Sequence, residues 1–393
     1  MRVGIKVGEI SATCGGTFVL PGTILGALSA VSSPHEIVLL QDIQGAKPPA
    51  SLLHRAGRRG QRLVQRLTNT QPAQLPELDD LGQAVLQQRI DVLWHMLPLA
   101  RPVPVPYIAT VWDLAHRCLP LFPEVSVAEW TWQEREDNYR RLLPCACRVL
   151  TGTNVGKNEI VSFYGVSPGN VRVVPFPVDA RFRKPADPTE NIRAKYGIPG
   201  RFVFYPAQFW AHKNHVNLLL ALQRYNNDHP LPLHLVLTGS DQGNLDHVKS
   251  TIRRLELLTF VHVLGFLPHE DLRAIYAQSE AMVFPTFFGP DNIPPLEAFA
   301  AGCPVVASHV QGAEEQLGDA AILFNPASPA EIAEAIARVV DDPAKRSELI
   351  ARGRRRVANL TPENYVRKVF EVLDEIEPLR RCWGKNRGYE IDT

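Results

Sequence analysis

The sequence predicts an α/β protein of two Rossmann-like, doubly wound domains facing each other across a cleft. Three observations carry that expectation. The chain has 393 residues, beyond the size at which one hydrophobic core usually stops growing. Short apolar runs bounded by Gly, Pro or Asp alternate with longer amphipathic stretches, as expected of buried parallel strands joined by crossover helices. The alternation occurs twice, on either side of a Pro-rich stretch.

In chain order, the first set of apolar runs places strands at Arg2–Val7, Glu36–Leu40, Val92–Trp94, Tyr107–Val111, Arg148–Gly152 and Val171–Val174. Helical periodicity fills the intervals. The stretch PFPVDARFRKPADPTENIRAKYGIPG is rich in Pro and ends in a turn signal, which puts a linker near residues 176–200. The second set follows at Phe202–Tyr205, Leu233–Thr238, Val261–Leu264, Ala281–Phe284, Pro304–Ala307 and Ala321–Phe324. A last helix, Pro362–Ile376, carries apolar Tyr365, Val369, Phe370 and Val372. The domains are therefore placed at 1–180 and 181–376, with a tail at 377–393 that crosses back to the first.

Composition excludes several classes. The 42 Lys+Arg nearly cancel the 41 Asp+Glu, leaving +1, so no nucleic-acid partner is expected. The cysteines, Cys14, Cys118, Cys145, Cys147, Cys303 and Cys382, are scattered without zinc or thioredoxin spacing, as in a reduced cytoplasmic protein. The N-terminal run MRVGIKVGEISATCGG reaches a Gly-Gly pair before any long apolar stretch, so no secretory signal is expected. The apolar stretch from Thr17 to Val31 is broken by Pro21, Gly22 and Gly26, which reads as a core helix in a soluble protein. Arg55, Arg58, Arg59, Arg62 and Arg66 lie in a basic segment that is either a solvated loop or a peripheral contact with an anionic membrane.

In doubly wound sheets, ligands bind beyond the carboxyl ends of the strands. The richest such loop here is Pro285-Thr-Phe-Phe-Gly-Pro-Asp-Asn-Ile-Pro-Pro-Leu-Glu297-Ala, a strand, a Pro-rich turn and a helix bearing a carboxylate. A helix opened by Asp291, Asn292, Ile293 and Pro294 offers unpaired amides to a phosphate. Glu297, about one turn in, accepts hydrogen bonds from hydroxyls. A second loop, Tyr205-Pro-Ala-Gln208-Phe-Trp-Ala-His-Lys213-Asn214, ends a strand and opens a helix at His215–Arg224, with Lys213 available to a diphosphate. Gly239, and then Gly265-Phe266-Leu267, stand at strand ends where a backbone approaches a ligand closely. In the first half, Cys14-Gly15-Gly16-Thr17 occupies the first strand-to-helix loop, and Trp112-Asp113-Leu-Ala-His116-Arg117 another.

These runs resemble glycosyltransferase family four, the retaining group 1 glycosyltransferases of GT-B fold. The family's Glu-x7-Glu pattern before a Gly-x-Pro-Val strand places its second glutamate on Glu297 and its first on Gly289, with Asp291 two residues on. Its lysine falls on Lys213, while its arginine position holds Gln208 and its His-Asp-Leu histidine position holds Trp112. The resemblance implies an N-terminal acceptor domain and a C-terminal donor domain. It implies Asp113, Lys213 and Glu297 as catalytic residues, to which His116 is added because it is close enough in sequence to Asp113 to project into the same cleft, and donor contacts from Gly15, Gly16, Gln208, Lys213, Gly239, Gly265, Phe266, Leu267, Asp291, Asn292, Ile293, Pro294 and Glu297. Trp130 and Trp132 read either as an acceptor wall, since indoles stack on sugar faces, or as core residues.

The implied reaction moves a hexose, with mannose from GDP-mannose as the leading donor, to a glycan or lipid-linked acceptor in surface-polysaccharide synthesis. The anomeric configuration is retained, and no cofactor or metal is expected. The departures at Gly289, Gln208 and Trp112 leave open a non-catalytic subunit of the same fold. A nucleotide-sugar epimerase or a phosphorylase is a further alternative.

Overall fold

The computed structural model describes residues 1–7, 16–40, 79–98, 100–126, 130–185, 187 and 191–382. Gly15 and the five arginines at 55–66 lie outside them, as does the end of the tail from residue 383. Gly16 opens a helix, Gly16–Leu28.

The described residues form two six-stranded sheets. The first holds β1 (Arg2–Lys6), β2 (Glu36–Leu40), β3 (Val92–His95), β4 (Tyr107–Thr110), β5 (Arg148–Thr151) and β6 (Val171–Val173), in the order β2-β1-β3-β4-β5-β6. The second holds β7 (Phe202–Pro206), β8 (His234–Thr238), β9 (Val261–Val263), β10 (Ala281–Phe284), β11 (Val305–Ser308) and β12 (Ala321–Phe324), in the order β12-β11-β10-β7-β8-β9. Neighbours pair in parallel, with Tyr205 opposite Leu237 and Val283 opposite Val306. Every strand expected from the apolar runs is present, with ends agreeing to within one residue. The reason is burial on both faces: β3, β4, β8, β10 and β11 are buried at every position, so they read as continuous apolar runs. Strand order reverses between β1 and β3 in one sheet and between β7 and β10 in the other, and those crevices are where such sheets take ligands.

The last helix corrects the expected domain boundary. It runs Pro362–Arg380, and Tyr365, Val366, Val369, Phe370, Leu373 and Ile376 share a core with Val3, Ile5, Val92 and Trp94 of the first sheet. The chain thus returns to the first domain before residue 362 rather than after 376, because this helix supplies one of the first sheet's covering layers. The first domain's other layer is a separate core that includes Leu93, Tyr107, Val149 and Ile160. The two crossings are tied together. The Val178 amide donates to the Leu360 carbonyl at 2.9 Å, and the Arg183 guanidinium donates to the carbonyls of Val357 and Leu360.

Candidate active site

A cavity of about 440 Å3 lies between the sheets, within the range of sites that enclose a small organic ligand. Its floor is at the carboxyl ends of the second sheet's strands: Pro206, which ends β7, with Ala207 and Gln208; Thr238, which ends β8, with Gly239 and Ser240; and Phe284, which ends β10. The first domain contributes Leu20, Trp112, Asp113 and Phe176.

Lys213 lines this cavity, with Nζ 5.4 Å from the centre of the Phe284 ring. Its place follows from local structure. A short turn at Ala211–Lys213 ends at Asn214, which adopts a left-handed conformation (φ 60°) and opens the helix His215–Asp228. The buried Asn214 amide donates to the carbonyls of Pro285 and Pro326, each at 2.8 Å, and this braces the turn against the end of β10. Tyr205 Oη donates to the Lys213 carbonyl at 2.8 Å. Burial lowers the Lys213 pKa to about 8, against the opposing pull of Asp113 and Glu124.

Gln208 is fixed by its own contacts. Its Nε2 donates to Ser240 Oγ at 3.0 Å, and its Oε1 accepts from Trp210 Nε1 at 3.1 Å. Gly239 must be glycine: at φ +137° a Cβ would lie 2.3 Å from the Ala207 carbonyl oxygen. Gly265, Phe266 and Leu267 also line the cavity, Phe266 with 65% of its surface exposed.

The Pro-rich turn Gly289–Pro294 forms another wall. The expectation that the helix Ile293–Ala301 presents a row of free amides needs correction. Pro294 and Pro295 have no N–H, and the Asn292 amide donates to Gln316 Oε1 at 3.0 Å, which leaves Ile293 as the amide at that end. Asn292 Nδ2 donates to the Gly289 carbonyl at 2.8 Å. Asp291 lines the cavity and accepts from Gln316 Nε2 through Oδ1, while Oδ2 is buried with no partner among the described residues. Burial, then the charge of Glu315, raises its pKa to about 7. Glu297 is half-buried behind this wall and does not line the cavity. Burial raises it to about 7, against a 3.4 Å hydrogen bond from Tyr276.

His116 does not reach the cleft. It is fully buried, 3.0 Å from Tyr164 Oη and stacked on Tyr139, because the short helix Ala115–Cys118 turns it into the first domain's interior. Its neighbour Arg117 pairs with Glu136 instead of facing a ligand. The expected acceptor wall is likewise structural. Trp132 Nε1 donates to the His116 carbonyl at 2.7 Å, and Trp130 packs on Tyr139 and under Arg135. The indoles at the cavity are Trp112, whose buried Nε1 has no partner among the described residues, and Trp210. Asp113 lines the cavity as expected, its Oδ1 accepting from the Ala115 amide at 3.0 Å.

The two domains also touch around the cavity rim. Glu315 of the second accepts from the amides of Asn154 (2.6 Å) and Val155 (3.2 Å) at the start of a first-domain helix, Asn154–Tyr164. Glu124 of the first accepts from His212 of the second. Neither contact was visible in the sequence, where an isolated glutamate carries no sign of its partner.

Residues 188–356 match the family described as "Glycosyl transferases group 1". An MMP alpha-(1->4)-mannosyltransferase of Mycolicibacterium hassiacum is 26% identical over 60% of this chain and 57% of its own length. O-antigen chain mannosyltransferase B of Escherichia coli is 25% identical over 58% and 61%. The chain thus spans about three fifths of the length of these curated relatives. Among solved structures, sucrose-phosphate synthase from Thermosynechococcus elongatus superposes with a TM-score of 0.72 at 16% identity, over 96% of this chain and all of the other. Anabaena HepE, in complex with UDP and glucose, gives 0.71 at 17%, over 95% and 100%. The fold is GT-B, and the resemblance to group 1 glycosyltransferases holds across the second domain.

Proposed function

We propose, from the group 1 glycosyltransferase match over residues 188–356, that this chain transfers a hexose from a nucleotide sugar to a glycan or lipid-linked acceptor with retention of anomeric configuration. The observation that carries the reading is Lys213. It is a lysine with no carboxylate in salt-bridge contact among the described residues, set at the switch point of the second sheet inside a cavity closed by the first domain. A cation so placed meets the donor diphosphate and the charge that develops as the nucleotide leaves. In this reading Lys213 and backbone amides do the work of a metal. The strand ends at Gly239 and Gly265 receive the nucleoside, Glu297 engages the ribose from behind Pro294, and Asp113 faces the sugar from the acceptor side. The names of the two mannosyltransferase relatives support mannose as the sugar; GDP-mannose as the donor, and surface-polysaccharide synthesis on the cytoplasmic side of a membrane as the setting, are what we propose. None of the described helices is long and apolar enough to cross a membrane.

The test is a panel of nucleoside diphosphates and their sugars, read by thermal shift and by release of diphosphate, on the wild type, Lys213→Ala and Glu297→Ala. One nucleotide should raise the melting temperature of the wild type and lose that effect in the variants. Silence across the panel would favour a non-catalytic subunit, the reading motivated by Gln208, Gly289 and Trp112 at motif positions.

A further inference from the structure

The Lys213 turn is held from across the cleft. Glu124, only 7% exposed, sits in a short first-domain helix, Pro123–Ser126. Its Oε1 accepts both from the His212 amide at 2.8 Å and from His212 Nδ1. The preceding Phe122 stacks on Phe287 at 5.8 Å and meets the His212 ring edge-on at 6.2 Å. The His212 carbonyl accepts in turn from the Phe287 amide at 2.9 Å. One first-domain segment therefore grips both second-domain loops that flank Lys213, the turn after β7 and the turn after β10.

We infer that Glu124 is a positioning residue for Lys213, clasping the turn that carries it when the cleft is closed, so that the acceptor-side domain sets the donor-side ammonium in place. The inference rests on the proposed donor role of Lys213. The chemistry is consistent with the geometry. Burial alone would raise the Glu124 pKa, but the hydrogen bonds from His212 outweigh it and hold the carboxyl below its ordinary value. Burial, and then the Lys213 charge, keeps His212 neutral, so a neutral imidazole donates to an ionised carboxylate. The charged and titratable groups around Lys213 are Asp113 and Glu124 from the first domain and His212 and His215 from its own segment. Both carboxylates come from the opposite domain, so opening the cleft removes the charges that favour the ammonium.

The experiment compares Glu124→Gln, which keeps the shape and an acceptor oxygen but loses the charge, with Glu124→Ala, which loses the clasp. Affinity for GDP and for UDP is measured by calorimetry across pH, and amide exchange of residues 211–214 is measured without ligand. For Glu124→Gln, the alkaline fall in affinity should move to lower pH by about half a unit, the loss of one nearby screened charge. For Glu124→Ala, exchange at 211–214 should rise about tenfold or more, and His212→Ala should add little to it because both remove one contact. An unshifted limb in Glu124→Gln together with unchanged exchange in Glu124→Ala would overturn the inference. If neither nucleotide binds the wild type, the donor reading is what fails, and the unliganded exchange still decides the clasp: unchanged rates in Glu124→Ala overturn it.

Discussion

The carboxylate of Asp291 occupies the space where a side chain at position 152 would begin. A Cβ built on Gly152 would lie 1.4 Å from Asp291 Oδ2 and 3.3 Å from the Phe176 ring. Gly152 follows β5 of the first domain and Asp291 belongs to the turn before the helix Ile293–Ala301 of the second, so this contact measures how far the cleft closes. Gly152→Ala should prop it open. The expected result is a larger radius of gyration by small-angle scattering and a fall of about a hundredfold in turnover, the scale on which ångström displacements act. A variant that keeps the wild-type dimensions and rate would show that Asp291 can move aside at little cost.

The same carboxylate, with Glu297, should make stability depend on pH. Burial, the largest cause for both, raises each to about 7, with Glu315 adding to the effect on Asp291 and Tyr276 opposing it on Glu297. A folded-state pKa above the unfolded value means that the folded protein binds more protons between about pH 4 and pH 7. Their contribution to stability therefore falls as pH rises through that window and levels off above it. Asp291→Asn and Glu297→Gln should each flatten the decline in melting temperature between about pH 5 and pH 7, and together more than singly. Melting curves as steep in the double variant as in the wild type would contradict the assignment.

How much of this was legible in the sequence depended on whether the signal was local. The strands were, because β8 and β10 are buried on both faces and are apolar through Leu235, Val236 and Leu237 and through Ala281–Phe284. Lys213 and Asp113 were, because each lies in a loop joining the carboxyl end of a strand to the next helix, and such loops face the crevice. The destination of the helix Pro362–Arg380 was not, since an apolar stripe such as Val366, Val369 and Leu373 fits either sheet equally well. His116 was misread for a related reason. Three residues beyond Asp113, a short helical turn has already reversed the chain's inward and outward faces, and residue type does not record that. The contacts of Gly152 with Asp291 and of Glu315 with Asn154 join residues more than a hundred positions apart, so neither had a local signature.

Lys213 should control diphosphate binding. Burial lowers its pKa to about 8, so the wild-type affinity for a nucleoside diphosphate should decline as pH passes that value and the ammonium is lost. Lys213→Ala should reduce turnover by about 10²-fold, comparable with removing one preorganised charge-stabilising donor, and should abolish the alkaline decline. Lys213→Arg should restore little, because the fork of a guanidinium does not fit the space of an ammonium set above the Phe284 ring. A wild-type profile flat to about pH 10 would remove Lys213 from the binding step.

His116 offers the opposite signature. It is fully buried, stacked on Tyr139, bonded to Tyr164 and flanked by Trp132, in a cluster that also joins Arg117 to Glu136. Burial, the largest cause, lowers its pKa despite the nearby Glu136, so the ring is neutral and its work is packing. His116→Ala leaves a cavity beside Tyr139 and strips a partner from Tyr164, which should cost about 2–4 kcal/mol of stability. Nucleotide affinity and turnover per folded molecule at low temperature should stay within about twofold of wild type, because disturbances this far inside one domain add to site energetics only weakly. Denaturant unfolding together with calorimetric titration separates the two effects. If affinity falls tenfold while stability is unchanged, His116 reaches the ligand in a conformation that differs from this one, and the buried cluster is then not its working state.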